Sequence, residues 1–370
     1  MKILYVTTIS NTVNAFLIPH IKVLIEQGHQ VDVAFNIVQE VNKELIELGC
    51  KIYNIEFQRS PLDKRNYFAY KKLRELIKDE DYEIVHTHTP IASACVRLVC
   101  KGIKDLKVIY TAHGFHFYKG APLINWLIYY PIERLLAKYT DVLITINQED
   151  YIRAQKSFKA KRIEYIPGVG LDFTKYQSRM INILEKREEL DISKDAFTVL
   201  SVGELNKNKN HETIIKAIAK INNPNISLVI CGQGVLENHL RNLIQELGLE
   251  NQVRLLGFRK DIREICKSVD AFIFPSFREG LSVALMEAMA SGLPVVCSKI
   301  RGNTDLIEDG KGGYLVTPND VQGFADALQK LSISNDLRRE FSKSNLEGIT
   351  KFSLENVIVE LNNIYQKVIK

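Results

Sequence analysis

Long apolar runs, closely paired cysteines and a strong excess of one charge are all missing from this sequence of 370 residues. No stretch reaches the roughly 18 consecutive apolar residues that a membrane-spanning helix needs. The opening Met1–Thr8 lacks the apolar core and the small-residue cleavage site of a secretory signal, and it is typical of a first strand. These absences predict a cytoplasmic chain that does not span a membrane.

The six cysteines form no C-x-x-C pair and lie mostly in apolar runs. Cys231 lies within S-L-V-I-C-G, for example, and Cys297 within P-V-V-C-S. Such spacing supports neither a zinc site nor a disulfide framework, so we expect buried thiols in a reducing compartment.

The charge of the chain is slightly positive and unevenly distributed. The chain is 46% hydrophobic and 25% charged, which predicts a folded globular protein, and its length predicts about two domains. Its formal net charge is +5, yet the segment Lys101–Arg162 alone holds 11 basic and 5 acidic residues. This local excess fits an anionic partner such as nucleic acid, a membrane surface or a phosphorylated substrate, and equally fits ordinary solvated helix faces.

Short β-branched runs alternate with longer amphipathic segments along most of the chain, which is typical of parallel sheets covered by helices on both faces. The alternation stops at P-G-V-G-L-D, residues 167–172, and then restarts. The sequence therefore predicts two doubly wound α/β domains in tandem. The predicted strands are 2–8, 30–35, 51–57, 82–88, 107–112, 141–146 and 162–166, then 197–202, 226–231, 253–256, 271–275, 294–297 and 313–316.

The break sets the domain boundaries. We expect an N-terminal domain over 1–168 and a C-terminal domain over 169–352. A charged helical stretch is predicted near 180–190, and the segment 353–370 has apolar residues at helical spacing that must pack against another element. Because ligands bind beyond the carboxyl ends of parallel strands, motifs at strand ends are the candidates for function.

The most informative segment is P-S-F-R-E-G-L-S-V-A-L-M-E-A-M-A-S-G-L-P-V-V, residues 275–296. A helix is predicted to begin near Ser282 and to end at Gly292. The amides of residues 280–282 would then lie at a helix N-terminus, where phosphate oxygens bind readily.

Two carboxylates of this segment, Glu279 and Glu287, could accept hydrogen bonds from hydroxyl groups of one ligand. Alternatively, Glu287 is an ordinary solvated helix residue. Its apolar neighbours favour a largely buried helix, in which a carboxylate needs a partner.

The pattern P-S-x-x-E-G-x6-E-A-x-A-x-G-x-P-V-V resembles the donor-site signature of GT-B glycosyltransferases of family four. The downstream D-G-K-G-G-Y-L-V-T-P-N-D, residues 309–320, is similar to the same family's following segment. The resemblance implies two Rossmann-like, doubly wound domains that face a central cleft, with the acceptor on 1–168 and a nucleotide-sugar donor on 169–352. It also implies that the helix within 353–370 packs back on the first domain, and that no metal or other cofactor is needed.

The resemblance also implies roles for single residues. Glu279 would hold hydroxyls of the donor sugar, and Glu287 would bind the ribose hydroxyls of the nucleotide. The amides of Gly280, Leu281 and Ser282 would approach the sugar and the diphosphate.

Lys209, in the loop after the first strand of the second domain, lies where the family places a lysine against the donor diphosphate. The family commonly has arginine where this chain has Glu204, which removes one expected phosphate contact. Asn206, Lys207 or Asn208 could replace it. The alternative is an exposed polar loop without a ligand.

Two further loops are predicted to complete the nucleotide pocket. Gly232, in C-G-Q-G, resembles the family's Gly-x-Gly turn, and the missing third glycine disfavours NAD. Phe258 and Arg259 follow another strand, where the family contacts the nucleobase. Core packing of Phe258 is the alternative.

Histidines mark the strand ends of the first domain. His113, in T-A-H-G-F-H-F, resembles the family's histidine that reaches the transferred sugar, and His116 is a second candidate. His86 and His88 share one face of a strand and could form part of a metal site. Because no carboxylate or cysteine partner is evident nearby, a structural or substrate-lining role is the better hypothesis.

The segment 118–138 places aromatic and aliphatic residues beside Arg134 and Lys138. This composition is typical of a surface that meets anionic lipid headgroups. A buried helix that covers the sheet is the alternative.

By this resemblance we predict a metal-independent, retaining hexosyl- or N-acetylhexosaminyltransferase in which His113, Lys209 and Glu279 are catalytic. The predicted donor is a UDP-sugar, and the predicted acceptor is a polyprenyl-diphosphate-linked glycan of capsule or exopolysaccharide synthesis. We expect peripheral contact with the inner face of the cell membrane through 118–138, and no nucleic-acid partner. The alternatives are a non-hydrolysing UDP-sugar 2-epimerase and a non-enzymatic sugar-binding protein.

Overall fold

The computed structural model describes residues 1–177 and 181–369. The chain forms two compact units: unit 1 is Met1–Gly170 with Glu355–Lys370, and unit 2 is Leu171–Leu354. Each unit contains one seven-stranded parallel sheet, so the predicted pair of α/β sheets is confirmed. Residue 180 of the predicted helical stretch and residue 370 of the predicted terminal segment lie outside the described residues.

Unit 1 winds outward from its first strand in both directions. Its sheet order is 3-2-1-4-5-6-7 by strand number, which is a Rossmann-like arrangement. Its strands are β1 Lys2–Ile9, β2 Gln30–Asn36, β3 Ile52–Asn54, β4 Ile84–His88, β5 Lys107–Ala112, β6 Val142–Thr145 and β7 Arg162–Tyr165. Its helices are α1 Ser10–Thr12, α2 Ile18–Glu26, α3 Lys43–Glu47, α4 Arg65–Asp79, α5 Pro90–Val99, α6 Leu123–Leu136 and α7 Gln148–Ser157, with a π-helix at Val13–Leu17 and a 3-10 helix at Ala137–Tyr139.

Unit 2 repeats the doubly wound plan. Its sheet order is 10-9-8-11-12-14-13 by strand number. Its strands are β8 Phe197–Val202, β9 Ile226–Cys231, β10 Val253–Gly257, β11 Ala271–Phe274, β12 Val295–Ser298, β13 Glu308–Asp309 and β14 Gly312–Val316. Its helices are α8 Thr174–Gln177, α9 Ile183–Glu189, α10 His211–Ile221, α11 Glu237–Glu246, α12 Ile262–Ser268, α13 Val283–Ala290, α14 Asn303–Leu306, α15 Val321–Ile333 and α16 Asn335–Gly348, followed by a 3-10 helix at Ile349–Phe352.

The central strands are largely buried because helices cover both faces of each sheet. Every residue of β4 and of β11 is buried, for example. In unit 2, residues of α10 and α15 join the sheet in one continuous hydrophobic cluster that includes Ile214 and Leu328. Each fully buried aliphatic side chain of this kind contributes about 1.5–3 kcal/mol to the free energy of unfolding.

The predicted strand 51–57 is wrong in length, because β3 ends at Asn54. Beyond it the chain makes a tight turn, in which the amide of Phe57 donates to the carbonyl of Ile55 at 2.7 Å. Ile55 and Phe57 are nevertheless buried in the core of unit 1. Their apolar character therefore reflects packing of an irregular segment and not a continued strand.

The predicted helix near Ser282 is confirmed as α13. Ser282 is its N-cap, and the serine Oγ accepts a hydrogen bond from the amide of Leu285 at 3.4 Å. Gly292 lies just beyond the other end, with φ of +75°, a conformation that ends helices and that glycine adopts without strain.

The last helix is α17, Leu354–Ile369, which the apolar spacing of its segment predicts. Its buried stripe comprises Val357, Leu361, Ile364 and Tyr365. The hydroxyl of Tyr365 donates to the hydroxyl of Tyr5 in β1 at 3.1 Å, which ties this helix to the centre of the sheet of unit 1.

Candidate active site

The loops that follow the strands of unit 2 gather at one edge of its sheet. Because the strands are parallel, the segments after β8, β9, β10, β11 and β12 all leave from the carboxyl-terminal edge. Most of the residues that the sequence indicates for donor binding belong to these segments.

The structure brings Lys209 and Glu279 together at this edge. The Nζ of Lys209 lies 2.8 Å from Oε1 of Glu279, and the two side chains are only 20% and 13% exposed. The ammonium also lies 4.6 Å from the centre of the Phe274 ring. The lysine stem packs on Gly203, where an added Cβ would lie 3.1 Å from Cδ of the lysine. A cation and a carboxylate are thus held side by side, in a setting drier than a surface ion pair.

Backbone hydrogen bonds fix the two loops that carry this ion pair. The side-chain amide of Asn208 donates to the carbonyl of Arg278 at 3.0 Å. In return, the backbone amide of Phe277 donates to the carbonyl of Asn208 at 2.8 Å. The ion pair therefore rests on a braced backbone and does not depend on two independent loops.

Asn206 stabilises the same loop from within, because its Oδ1 accepts a hydrogen bond from the backbone amide of Lys209 at 3.0 Å. Glu204 and Lys207 are exposed. An exposed polar loop therefore describes those two positions, whereas Lys209 is held by its ion pair.

The first turn of α13 lies beside Glu279. Within the described part of the chain, no group accepts a hydrogen bond from the amides of Gly280, Leu281 or Ser282. Amides left open at a helix N-terminus bind anions, since the helix dipole adds its positive end there. This edge of the sheet therefore offers three donors and one ammonium group.

Arg301 is a residue of this site that the sequence motifs missed. Its side chain is only 6% exposed, and its Nε donates to the carbonyl of Glu279 at 3.1 Å. The next residue, Gly302, approaches the same loop so closely that an added Cβ would lie 2.4 Å from the carbonyl oxygen of Gly280. The signal that could have found this pair is the position of R-G in the loop that follows β12, which ends at Ser298, as in the other site loops.

Glu287 lies within α13 and is half-buried, so the solvated-helix alternative is wrong. Its Oε1 accepts a hydrogen bond from the hydroxyl of Tyr176 at 2.7 Å. Burial raises the pKa of the Glu287 carboxyl, which the bond from Tyr176 partly offsets. Tyr176 belongs to no sequence motif, and its role could not be read from the chain alone.

Gly232 is needed where the turn after β9 meets the loop after β8. A Cβ at this position would lie 1.9 Å from the carbonyl oxygen of Gly203, which is closer than any real contact. Only glycine permits this approach, which places the two turns directly against each other.

Phe258 is 66% exposed, so the core-packing alternative for this residue is wrong. Arg259 is bound by two carboxylates, those of Glu189 and Asp261, and its Nε lies 2.8 Å from Oδ1 of Asp261. The structure thus leaves the Phe258 ring open to a ligand, whereas the Arg259 guanidinium already has partners away from the Lys209 ion pair.

In unit 1, His113 directly follows β5 and is half-buried. Its Nε2 lies 3.0 Å from Nδ1 of His88, at the end of β4. Burial, together with the nearby His20, lowers the pKa of His113 to about 4, so this imidazole is neutral near pH 7.

His86 and His88 stack on each other with ring centres 4.3 Å apart. The nitrogens of His86 contact the hydroxyls of Tyr365 and Thr111, each at 2.8 Å. Across residues 1–177 and 181–369, no three His, Cys, Asp or Glu side chains cluster so that they could hold a metal ion. The strand-end histidines instead form a hydrogen-bonded network.

Helix α6 has features of both alternatives for the segment 118–138, because one of its sides is packed on the sheet and the other is exposed. Its aromatic residues pack inward on the sheet, and His116 stacks on Tyr129 with ring centres 4.6 Å apart. Its opposite side, here called the α6 apolar face, is exposed beside the exposed Arg134 and Lys138. The α6 apolar face comprises Leu123, Ile124, Leu127, Ile128, Ile132 and Leu135. In the part of the chain that the structure describes, no helix has the length and apolarity to cross a bilayer.

Comparison with known proteins identifies the family of the chain. Residues 182–347 match the family described as Glycosyl transferases group 1, and residues 2–147 match the family described as Glycosyl transferase 4-like. The chain belongs to the glycosyltransferases that these two families describe and has the GT-B fold.

Individual relatives cover most of the chain or nearly all of it. EpsD of Bacillus subtilis (strain 168), provisionally named a glycosyltransferase, is 35% identical over 98% of this chain and 96% of EpsD. The UDP-Gal:alpha-D-GlcNAc-diphosphoundecaprenol alpha-1,3-galactosyltransferase of Escherichia coli is 30% identical over 79% of this chain and 77% of that enzyme. The structure of HepE from Anabaena in complex with UDP matches 99% of this chain and 100% of HepE at 20% identity, with a TM-score of 0.82, and so shares the fold.

Proposed function

We propose that this glycosyltransferase moves a hexose or N-acetylhexosamine from a UDP-sugar to a hydroxyl of a polyprenyl-diphosphate-linked glycan, with retention of the anomeric configuration. The acceptor class is supported by the Escherichia coli relative, whose name specifies a diphosphoundecaprenol-linked substrate. Capsule or exopolysaccharide assembly is the process that this reaction would serve.

One observation carries the proposal: the half-buried Lys209–Glu279 ion pair lies beside the open amides of residues 280–282. A diphosphate needs positive charge and N–H donors, and a sugar needs a carboxylate that accepts from its hydroxyls. This edge of unit 2 supplies both within one set of braced loops. A protein that only bound free sugar would not need the ammonium group and the open amides that suit a diphosphate.

The bond changes of the proposed reaction balance without a protein nucleophile. The bond between the anomeric carbon and the diphosphate oxygen breaks, and the acceptor oxygen forms a bond to the same carbon on the same face. The proton of the acceptor hydroxyl passes to the departing diphosphate. Lys209 and the amides at the start of α13 stabilise the negative charge that develops on UDP.

The remaining donor contacts follow from the same assignment. Glu279 accepts hydrogen bonds from hydroxyls of the sugar, and Glu287 accepts from the ribose through the carboxylate that Tyr176 orients. Phe258, with its exposed ring, packs against the uracil. His113 of unit 1 hydrogen-bonds the transferred sugar.

Lys209 and the helix amides replace the divalent cation that other sugar transferases place on the diphosphate. Metal independence is therefore part of the proposal. Activity that is unchanged by a chelator is the expected result, and activity that is lost with the chelator and restored by a divalent cation contradicts it.

The α6 apolar face supports a peripheral contact with the membrane that contains the lipid-linked acceptor. Leu123 and Leu127 are 79% and 73% exposed, and Arg134 and Lys138 can pair with anionic headgroups. Burial of such side chains in the interface contributes binding energy, and the basic residues add electrostatic attraction.

The test is product analysis across a donor panel with and without acceptor. UDP-hexoses, UDP-N-acetylhexosamines and GDP-mannose are first screened for a rise in melting temperature, because a ligand that binds only the folded state stabilises it. The best donor is then incubated with a polyprenyl-diphosphate-linked sugar. A glycosylated lipid is expected. Conversion of UDP-N-acetylglucosamine to its epimer without any acceptor would instead identify a 2-epimerase.

A further inference from the structure

We propose that His88 is a positioning residue that fixes the tautomer of His113, so that His113 presents a neutral Nδ1–H donor to a hydroxyl of the transferred sugar. The proposal rests on the proposed function, because it specifies how the histidine assigned to the sugar does its work.

The two rings share a single hydrogen. Nδ1 of His88 and Nε2 of His113 are 3.0 Å apart, and the ring centres are 5.2 Å apart. In such a contact between neutral imidazoles, one nitrogen carries the hydrogen and the other accepts it. The direction of this bond therefore decides the tautomer of both histidines.

The second nitrogen of His88 decides the direction. Its Nε2 is buried, and among the described residues it has no hydrogen-bond partner. Buried N–H donors without a partner are rarer in proteins than unpartnered acceptors. The hydrogen of His88 therefore lies on Nδ1 and is donated to His113. Nε2 of His113 is then the acceptor, and the hydrogen of His113 lies on Nδ1.

His86 holds the ring of His88 in place. Tyr365 donates its hydrogen to Tyr5, so its oxygen accepts from Nδ1 of His86 at 2.8 Å. Nε2 of His86 then accepts from the hydroxyl of Thr111 at 2.8 Å. The ring of His88 is stacked on His86 and lies 5.5 Å, centre to centre, from Tyr5. The arrangement runs from α17 to the end of β4 and leaves His88 little freedom to turn.

The consequence is a donor without a charge. Burial, followed by repulsion from the neighbouring imidazoles, keeps the pKa of His88 well below its ordinary value. Nδ1 of His113 has no hydrogen-bond partner among the described residues. A fixed Nδ1–H at this position can donate to a sugar oxygen, whereas the other tautomer offers only an acceptor there.

The direct test is the tautomer of His113 in the whole protein, read by long-range proton–nitrogen correlation NMR on histidine labelled with nitrogen-15. The spectrum distinguishes Nδ1–H from Nε2–H imidazoles, and His113→Gln assigns the signal. We expect the Nδ1–H form at pH 7. A wild-type His113 in the Nε2–H form overturns the proposal. This reading does not depend on activity, so it stands apart from a failure to find sugar transfer.

Variants then test the positioning role. His88→Leu removes the donor, and we expect His113 to lose its single tautomer and kcat/KM to fall about tenfold. His88→Asn places an amide N–H where Nδ1 lies and should retain both the NMR signal and most of the activity. Thr140→Val is the matched control, because it removes a buried hydroxyl of unit 1 that donates to the carbonyl of Leu136 at 3.2 Å, outside the histidine network. An unchanged kcat/KM in His88→Leu, or equal losses in the Leu and Asn variants, contradicts the role.

Discussion

Lys209 is the side chain on which stabilisation of the negative charge of the departing UDP most depends. Its replacement in Lys209→Ala is expected to lower kcat by about 100-fold, because a preorganised cation no longer faces the departing diphosphate. Lys216→Ala is the control, since this lysine is exposed on α10 and pairs with Glu212 one turn away. Steady-state kinetics measure both, and equal activity in the two variants would refute the assignment of Lys209.

Glu287 should act on binding more than on the chemical step. Glu287→Gln is expected to weaken UDP binding by about tenfold or more, because hydrogen bonds to a charged group contribute about 1.5–3 kcal/mol. Calorimetric titration with UDP measures the Kd. Glu246→Gln, on the exposed end of α11, is the control and should bind UDP as the wild type does. A wild-type Kd for Glu287→Gln would rule out a contact with the nucleotide.

The buried histidines make stability depend on pH. Burial lowers the pKa of His20 below the ordinary value of 6.5, and its Nε2 lies 2.8 Å from the carbonyl oxygen of Val169. The unfolded chain thus binds a proton at higher pH than the folded chain does. The free energy of unfolding therefore falls as pH drops below about 6.5, by up to about 1.4 kcal/mol per pH unit for each such histidine.

His20→Gln tests this dependence, because glutamine can keep an N–H donor toward Val169 and does not titrate. Between pH 7 and pH 5, the melting temperature of the variant should fall by less than that of the wild type. A scan by circular dichroism at each pH measures the difference. An equal loss in both proteins would show that His20 does not bind a proton on unfolding in this range.

Strand-end motifs identify part of the candidate site from sequence. They omit residues whose contacts arise only when distant segments pack together. Lys209 and Glu279 follow strands, so the parallel topology brings their loops to one edge, and the family resemblance names them. Tyr176 and Arg301 lie outside every motif, because their contacts depend on how distant segments pack. Hydrogen-bond direction in the His88–His113 pair is likewise a property of the surroundings and not of the local sequence.

At the scale of elements, the exposed face of α6 is the proposed membrane contact, and this role can be tested. Leu123→Ser with Leu127→Ser should weaken binding to anionic vesicles by more than tenfold, because each leucine loses about 1.5–3 kcal/mol of possible burial. Val235→Ser is the control, since Val235 is 89% exposed and belongs to unit 2, so it is not part of the α6 apolar face. Vesicle co-sedimentation measures the effect, and unchanged binding of the double variant would exclude α6 as the membrane contact.

Elements differ in how well the sequence predicts them. The cap at Ser282 and the stop at Gly292 predict α13 because they are local signals. For α6, composition alone left two alternatives, since aromatic and aliphatic residues are apolar in both. Only the fold separates them, with the aromatic side packed on the sheet and the aliphatic side exposed. The length of β3 was predicted wrongly because Ile55 and Phe57 are buried outside the sheet ladder.

At the scale of the whole molecule, the alternation of strands and helices is sufficient to predict two doubly wound sheets. This alternation extends over long stretches of sequence, so an error at one strand end, such as that of β3, does not change the predicted fold. The two-residue strand β13 escaped prediction because Glu308 and Asp309 are exposed and charged. The strand order within each sheet is not contained in that alternation, because the winding rules of parallel folds only narrow it to a few possibilities.

The most direct test of the central claim is transfer of labelled sugar from UDP-hexose or UDP-N-acetylhexosamine to a polyprenyl-diphosphate-linked sugar in anionic vesicles. The assay is run with the wild type and with Lys209→Ala. The account predicts a labelled lipid product that requires the acceptor and falls about 100-fold in the variant. Donor turnover that is independent of the acceptor, or a product formed equally by both proteins, would contradict it.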